Sequence, residues 1–168
     1  ALIHVVLRRR GLTPMYVPPI SVVLADDKAR YIAGLDAYAR GDLETWLTTF
    51  ASATAQSASL AHSYLARVET LQHQWREMLR ATANPRADSV AWTLIDVMPG
   101  HPMISVPVAV AATGRTKAVV NEALLQLETA GVVARASQGQ RNRTWEATGL
   151  LDLLADLEAG VTLPPLAV

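Results

Sequence analysis

Apolar positions recur along most of this chain at intervals of three and four residues, the spacing that gives a helix one buried face. The opening run from Ala1 is apolar through Leu7 and ends in Arg8, Arg9 and Arg10, with Gly11 placed to close it. This predicts a helix whose cationic end meets the negative pole of its dipole. It starts in apolar residues without an N-cap, and so reads as a helix entered part-way along. Leu12 to Pro19 holds Pro14, Pro18 and Pro19, which remove donors and restrict the residues before them. An ordered connector is expected there, with Met15, Tyr16 and Val17 seeking burial. A short helix should begin at Ile20, and another should run from about Asp27 to Ala39, where Tyr31, Leu35 and Tyr38 recur at helical spacing and Gly41 supplies the stop.

Asp42 is placed to cap the longest predicted element, with Glu44 and Thr45 in its first turn. Leu43, Leu47, Phe50, Thr54, Ser57, Ala61, Tyr64, Val68, Leu71, Trp75 and Met78 alternate by four and three, a heptad seam reaching about Arg80. At 1.5 Å per residue such a helix is roughly 55 Å long. Its middle is rich in Ala and Ser, which lets another helix approach closely. The seam is compatible with packing inside one bundle and with a homodimer contact along the long helix. Asn84-Pro85 marks the expected domain boundary, because the residue before a proline resists the helical conformation.

Beyond it the rhythm changes. Val90, Trp92, Leu94, Ile95, Val97 and Met98 fit a helix that stops at Pro99-Gly100, and Ser105 can cap a second, with Pro107 tolerated in its first turn. Gly114 supplies a tight turn. A third helix, starting near Arg115, should bury Val119, Val120, Leu124, Leu127 and Ala130 and end at Gly131. Val132 to Ala136 and Thr144 to Ala147 then read as two strands joined by the polar turn Ser137 to Arg143. The run Val108-Ala109-Val110-Ala111-Ala112-Thr113-Gly114-Arg115-Thr116-Lys117-Ala118-Val119-Val120-Asn121-Glu122-Ala123-Leu124, followed by Leu127-Glu128-Thr129-Ala130-Gly131-Val132-Val133, resembles the winged helix-turn-helix family. That resemblance implies a recognition helix and a small two-stranded wing over residues 85–160; the tail at 161–168, with Leu163-Pro164-Pro165-Leu166, reads as extended. It also implies nucleic-acid or partner contacts by Arg115, Thr116, Lys117 and Asn121 on the helix and by Arg135, Gln140, Arg141 and Arg143 on or beside the wing. Winged helices serve as protein-binding modules as well, so both DNA and protein remain open as its partner.

Composition bears on that choice. The chain has 15 basic and 15 acidic residues and a formal net charge of +0, so no global field draws it to nucleic acid, and binding of that kind must come from local clusters. Glu122 and Glu128 dilute the local positive cluster. There is no cysteine, which removes disulfides, thiolate metal sites and a cysteine nucleophile, and a reducing cytoplasm fits best. The apolar run at the start is far shorter than the ~20 residues that span a bilayer, and its positive charges follow the run where a signal peptide would put them first. No membrane partner is expected.

Residues 1–84 in turn resemble the C-terminal part of a Fic domain, the fold of enzymes that mostly transfer adenosine monophosphate from ATP to protein hydroxyls. The matching features are the arginine-rich helix end with Gly11, then Pro18-Pro19-Ile20-Ser21, the Tyr31 to Leu35 helix, and Gly41-Asp42-Leu43-Glu44-Thr45-Trp46-Leu47 with Phe50. For the parent protein the resemblance implies AMP transfer to a protein target, with ATP and magnesium. The family's signature runs histidine, proline, phenylalanine, any residue, an acid, then glycine, asparagine, glycine and asparagine or arginine, and no such run occurs here. His101-Pro102-Met103 is its nearest imitation and is followed by Ile104-Ser105-Val106, without acid, glycine or asparagine. The opening helix would continue the one that follows the motif, which places the catalytic loop upstream of Ala1. No catalytic residue is therefore assigned in these residues, no cofactor of their own is expected, and the chain alone should be inactive. The family's inhibitory motif is absent too, since no glutamate here precedes glycine or asparagine.

Other chemistry is weakly supported. His4, His62, His73 and His101 lack metal-ligand spacing with one another or with paired carboxylates. Gly114-Arg115-Thr116-Lys117 has the wrong order for a phosphate-binding loop. Asp26-Asp27 reads as a helix cap. The expected protein is mainly α: a helical bundle segment followed by a winged helix. The alternative to a Fic-type region is a dimeric transcriptional regulator without enzymatic activity.

Overall fold

The computed structural model describes residues 2–11, 19–137, 139 and 143–159. Two compact units divide the chain. The first contains residues 2–65 with 156–159 of the described chain, and the second residues 66–155. Residues 12–18 of the connector predicted from Leu12 to Pro19, the tail at 161–168, and Gln140 and Arg141 lie outside the described residues.

In the first unit, α1 (Leu2–Arg9), α2 (Ile20–Asp26) and α3 (Lys28–Ala39) precede α4 (Leu43–Thr82), whose residues up to Leu65 belong to this unit. Asp27 caps α3 by accepting a hydrogen bond from the Arg30 amide at 3.0 Å, the capping role expected at Asp26-Asp27. Asp42 accepts one from the Thr45 amide at 3.1 Å in the first turn of α4. Gly41, at φ 89°, makes the turn between α3 and α4 that a side chain would strain. Trp46 lies one turn into α4, its ring 6.2 Å from Tyr31, 6.3 Å from Tyr38 and 5.9 Å from Phe50. Gly34 permits this approach, because a Cβ there would stand 3.2 Å from the Trp46 ring and 3.3 Å from Thr49 Cγ2.

Ala53, Ser57 and Ala61 are buried, and the Ser57 hydroxyl donates to the Thr54 carbonyl at 2.9 Å, so its burial leaves no unmet donor. The predicted seam needs correction at its ends. Ser57, Ala61, Tyr64, Val68 and Trp75 are buried, but Leu43 and Leu47 are 55% and 61% exposed, and Met78 is exposed as well. The buried line runs instead through Thr49 and Ala53 at one end and Leu79 at the other. A straight helix of 3.6 residues per turn drifts away from a strict seven-residue repeat over this length, which moves the inward face off Leu43 and Leu47.

Asp42 also supplies a pH-sensitive contact. The hydrogen bonds from Thr45 hold its carboxyl below the ordinary carboxylate range. Because the folded-state pKa is lowered, the capping contribution is present at neutral pH and fades as pH falls through the lowered value. Asp42→Asn, which still caps, is expected to keep neutral-pH thermal stability while flattening its decline in acid; Asp42→Ala should lower it at neutral pH. Melting curves followed by circular dichroism between neutral pH and pH 3 check this.

In the second unit, residues 66–82 of α4 are followed by α5 (Val90–Val97), a single 3₁₀ turn (Met98–Gly100), β1 (Met103–Ser105), α6 (Val106–Thr113), α7 (Lys117–Thr129), β2 (Val133–Arg135), β3 (Thr144–Ala147) and α8 (Leu150–Glu158), of which residues 150–155 belong here. Ser89 caps α5 by accepting from the Ala91 amide, and Gly114 closes α6 in the left-handed conformation at φ 65°. The core is closed by Leu94, Ile95, Met98, Ile104, Leu124, Leu127, Trp145 and Leu150, with Trp75 and Leu79 contributed by α4. Trp75 Nε1 donates to the Thr148 carbonyl at 3.1 Å, and the Gln72 side-chain amide donates to the Ile95 carbonyl at 3.0 Å. The division between units therefore falls at 65/66, whereas the pattern change at Asn84-Pro85 marks only the end of α4.

The sheet is three-stranded and antiparallel in the order β1-β3-β2, with Ile104 opposite Trp145 and Ala134 opposite Glu146. Two strands were expected. The third arises because Met103-Ile104-Ser105, too short to show a period of its own, buries Ile104 completely against β3. Helix α8 is also additional to the expected elements. Among the described residues no helix is long and apolar enough to cross a membrane.

Candidate nucleic-acid or partner interface

Lys117 and Asn121 lie on α7, and Arg115 and Thr116 directly before it. The core side of α7 is held by Val120, Ala123, Leu124 and Leu127, so the opposite side faces solvent. At its N-terminal end Arg115, Thr116 and Lys117 are all exposed. Thr116 is the N-cap residue, although its side chain makes no capping bond, and the helix starts at Lys117, two residues later than the pattern suggested. Val119, expected in the core, is 44% exposed, and Leu125 is 45% exposed. With Ala118 and Glu122, also exposed, they give the solvent side of α7 an apolar and acidic character. At 100° per residue Val119 lies about 80° from Leu127 and about 140° from Leu124 around the helix, a displacement that apolar type alone does not reveal.

The strand cations are engaged within the unit. Arg135 Nε stands 3.4 Å from Glu128 Oε1, and the other oxygen of that carboxylate accepts from Trp145 Nε1 at 2.8 Å. Arg143 lies over the Trp145 ring, 5.4 Å from its centre, and donates from Nη2 to Asn121 Oδ1 at 3.4 Å. Each contact alone is worth only ~0.5–1 kcal/mol at partly exposed positions. Together they tie β2 and β3 to α7, while Arg135 stays exposed and Asn121 and Arg143 half-buried. Glu128 thus holds two of the groups on β2 and β3 in place, a role that its reading as a diluting negative charge had missed. The available signal was Glu128 lying one residue before Thr129-Ala130-Gly131, at the end of a helix that turns directly into β2.

Each unit has a depression of its own. One, in the second unit, encloses about 550 Å³ between the 85–90 segment and α7. The other, about 200 Å³ in the first unit, is lined by Asp26, Asp27, Arg30, Tyr31, Thr49 and Gln56 among others. Among the described residues no group of three or more His, Asp or Glu side chains is arranged to hold a metal ion. No protein-family model matches the chain. No curated protein matches it significantly either.

Proposed function

We propose that this chain is the C-terminal region of a Fic-type AMP transferase and that its second unit is a winged helix-turn-helix that docks the protein target. The order α5, α6, α7, then β2 and β3 with β1 alongside, supports the winged-helix reading. The Fic reading draws support from Trp46, set among Tyr31, Tyr38 and Phe50 directly behind Gly41 and the capping Asp42. Tyr31, Gly41, Asp42, Trp46 and Phe50 are among the residues on which the resemblance rests, and their packing gives each a structural reason to occur at that spacing.

The observation that carries the docking assignment is the outward side of α7. A duplex reader presents cations and amides to base edges and phosphates. Here the middle of the helix presents Ala118, Val119, Glu122 and Leu125, and Arg135 and Arg143 are engaged by Glu128, Asn121 and Trp145. Exposed apolar side chains beside an acid suit a protein surface better than a polyanion. One observation favours the second reading, a dimeric DNA-binding regulator: Arg115 and Lys117 are exposed together at the start of α7.

The signature motif is not among these 168 residues, so catalysis would depend on polypeptide that carries it. With ATP labelled in its α-phosphate and with magnesium, the 168 residues alone are expected to label neither themselves nor a mixture of cell proteins. A polypeptide in which the signature precedes these residues should label a protein, and lose that activity when the signature histidine is replaced. Transfer by the 168 residues alone, or a natural coding sequence without the signature upstream of Ala1, would contradict the assignment.

A further inference from the structure

Helix α3 is apolar on both of its sides. Gly34 and Ala37 are buried, with Tyr31 half-buried beside them, which sets its inward side. The opposite side presents Ala29, Ile32, Leu35 and Ala39, all of them exposed, and Ile32 and Leu35 are 46% and 39% so. A helix that is apolar all round is ordinarily covered all round, and burying the open side of this one would be favourable. Two charged side chains flank Ile32 on that side, Lys28 one turn before it and Asp36 one turn after it, and both are exposed. Among the described residues neither has an ion-pair partner.

The placement of these charges defines what fits. At 100° and 1.5 Å per residue, Lys28 and Asp36 lie about 40° to either side of Ile32 and about 6 Å before and after it along the axis. About 12 Å apart on one helix, they stand too far from each other to pair. A twofold axis at Ile32 turns this arrangement onto itself with its ends exchanged. Two α3 helices so related run antiparallel, and Lys28 of each copy comes level with Asp36 of the other. With helix axes 8–10 Å apart, their Cβ atoms are about 6 Å apart, within the reach of a lysine side chain. Ile32 meets its own counterpart at the axis, and each Leu35 covers the other copy's Ile32 and the apolar stem of its Lys28. A parallel pair would instead set Lys28 against Lys28 and Asp36 against Asp36.

We infer that the outward side of α3 is a docking surface for a second copy of this chain, joined antiparallel about Ile32 with Lys28 of each copy paired to Asp36 of the other. What selects a second copy as the occupant is that the surface is its own complement in charge. The contact lies in the first unit and is independent of what the second unit docks. Two crossed helices of 12 residues bury less than the ~1,200 Å² of total surface at the lower end of stable complexes, so the association is weak and reversible.

Sedimentation velocity of the 168-residue chain, from micromolar to near-millimolar concentration, tests this. The chain is expected to pass from monomer to dimer as concentration rises, and Ile32→Ser to remain monomeric. Lys28→Glu and Asp36→Lys, each alone, should weaken association roughly tenfold, because symmetry turns two partly exposed ion pairs into like-charge contacts at once. An equimolar mixture of these two variants should associate as tightly as the unaltered chain, since every facing pair is then of opposite sign. The double variant Lys28→Glu, Asp36→Lys should do so as well. All three positions are exposed, and circular dichroism melts of the variants verify the fold. A monomer at every concentration, or a dimer that Ile32→Ser and both charge reversals leave intact, would overturn the proposal. So would charge reversals that weaken association singly but are not rescued by mixing.

Discussion

Trp75→Ala is expected to destabilise the second unit by about 3–5 kcal/mol, the range for emptying a large buried site that relaxes only in part. The side chain is 1% exposed, and its Nε1 proton is spent on the Thr148 carbonyl at 3.1 Å. Removing it opens a cavity and leaves that carbonyl without its donor, which adds about 1 kcal/mol if water does not enter. Leu47→Ala, on the same helix but at a side chain 61% exposed, should change stability by no more than ~0.5 kcal/mol. Urea unfolding followed by circular dichroism compares the two. Equal midpoints would show that residues 66–82 are not part of the core of the unit that follows them.

Trp145→Ala should have a comparable effect, again about 3–5 kcal/mol, through a different part of the unit. Its ring is fully buried in the central strand of the sheet, and its Nε1 bond to Glu128 joins that strand to α7. Trp145→Phe separates the two contributions, since it keeps most of the packing and removes the hydrogen bond. A loss of about 1.5 kcal/mol is expected, the low end for a bond to a charged group, because Glu128 is partly exposed. Glu128→Gln should reproduce part of that loss and free Arg135. A Trp145→Phe variant as unstable as Trp145→Ala would mean that the bond to Glu128, and not the ring, dominates.

These two tryptophans also show what the sequence discloses. The helical spacing in α2 to α7 and the stops at Gly41, Gly114 and Gly131 were readable, because caps and period are local properties. Trp75 was readable as an inward residue of α4, but not as a member of the unit that follows, since the break at Asn84-Pro85 is local and the packing of Trp75 on Thr148 is not. β1 escaped notice because three residues carry no period, and its pairing with β3 joins positions about forty apart in sequence. At the candidate interface, the positions of Arg115, Lys117 and Asn121 on or before α7 followed from the helix pattern. The engagement of Arg135 and Arg143 did not, because it depends on where Glu128, Asn121 and Trp145 meet in space. Charge counting sees cations there, and only the fold distinguishes a cation facing solvent from one held against a ring.

Whether α7 faces a protein or a nucleic acid is measured most directly by titrating the 168-residue chain into fluorescently labelled duplex DNA of about 20 base pairs at roughly 50 and 150 mM salt. With Arg135 paired to Glu128, Arg143 held over the Trp145 ring, and Val119, Glu122 and Leu125 outward, no saturable binding is expected at either concentration. Saturable binding at low salt that weakens steeply at the higher concentration, and is lost in Arg115→Ala and Lys117→Ala, would contradict the docking assignment and establish the DNA-binding alternative.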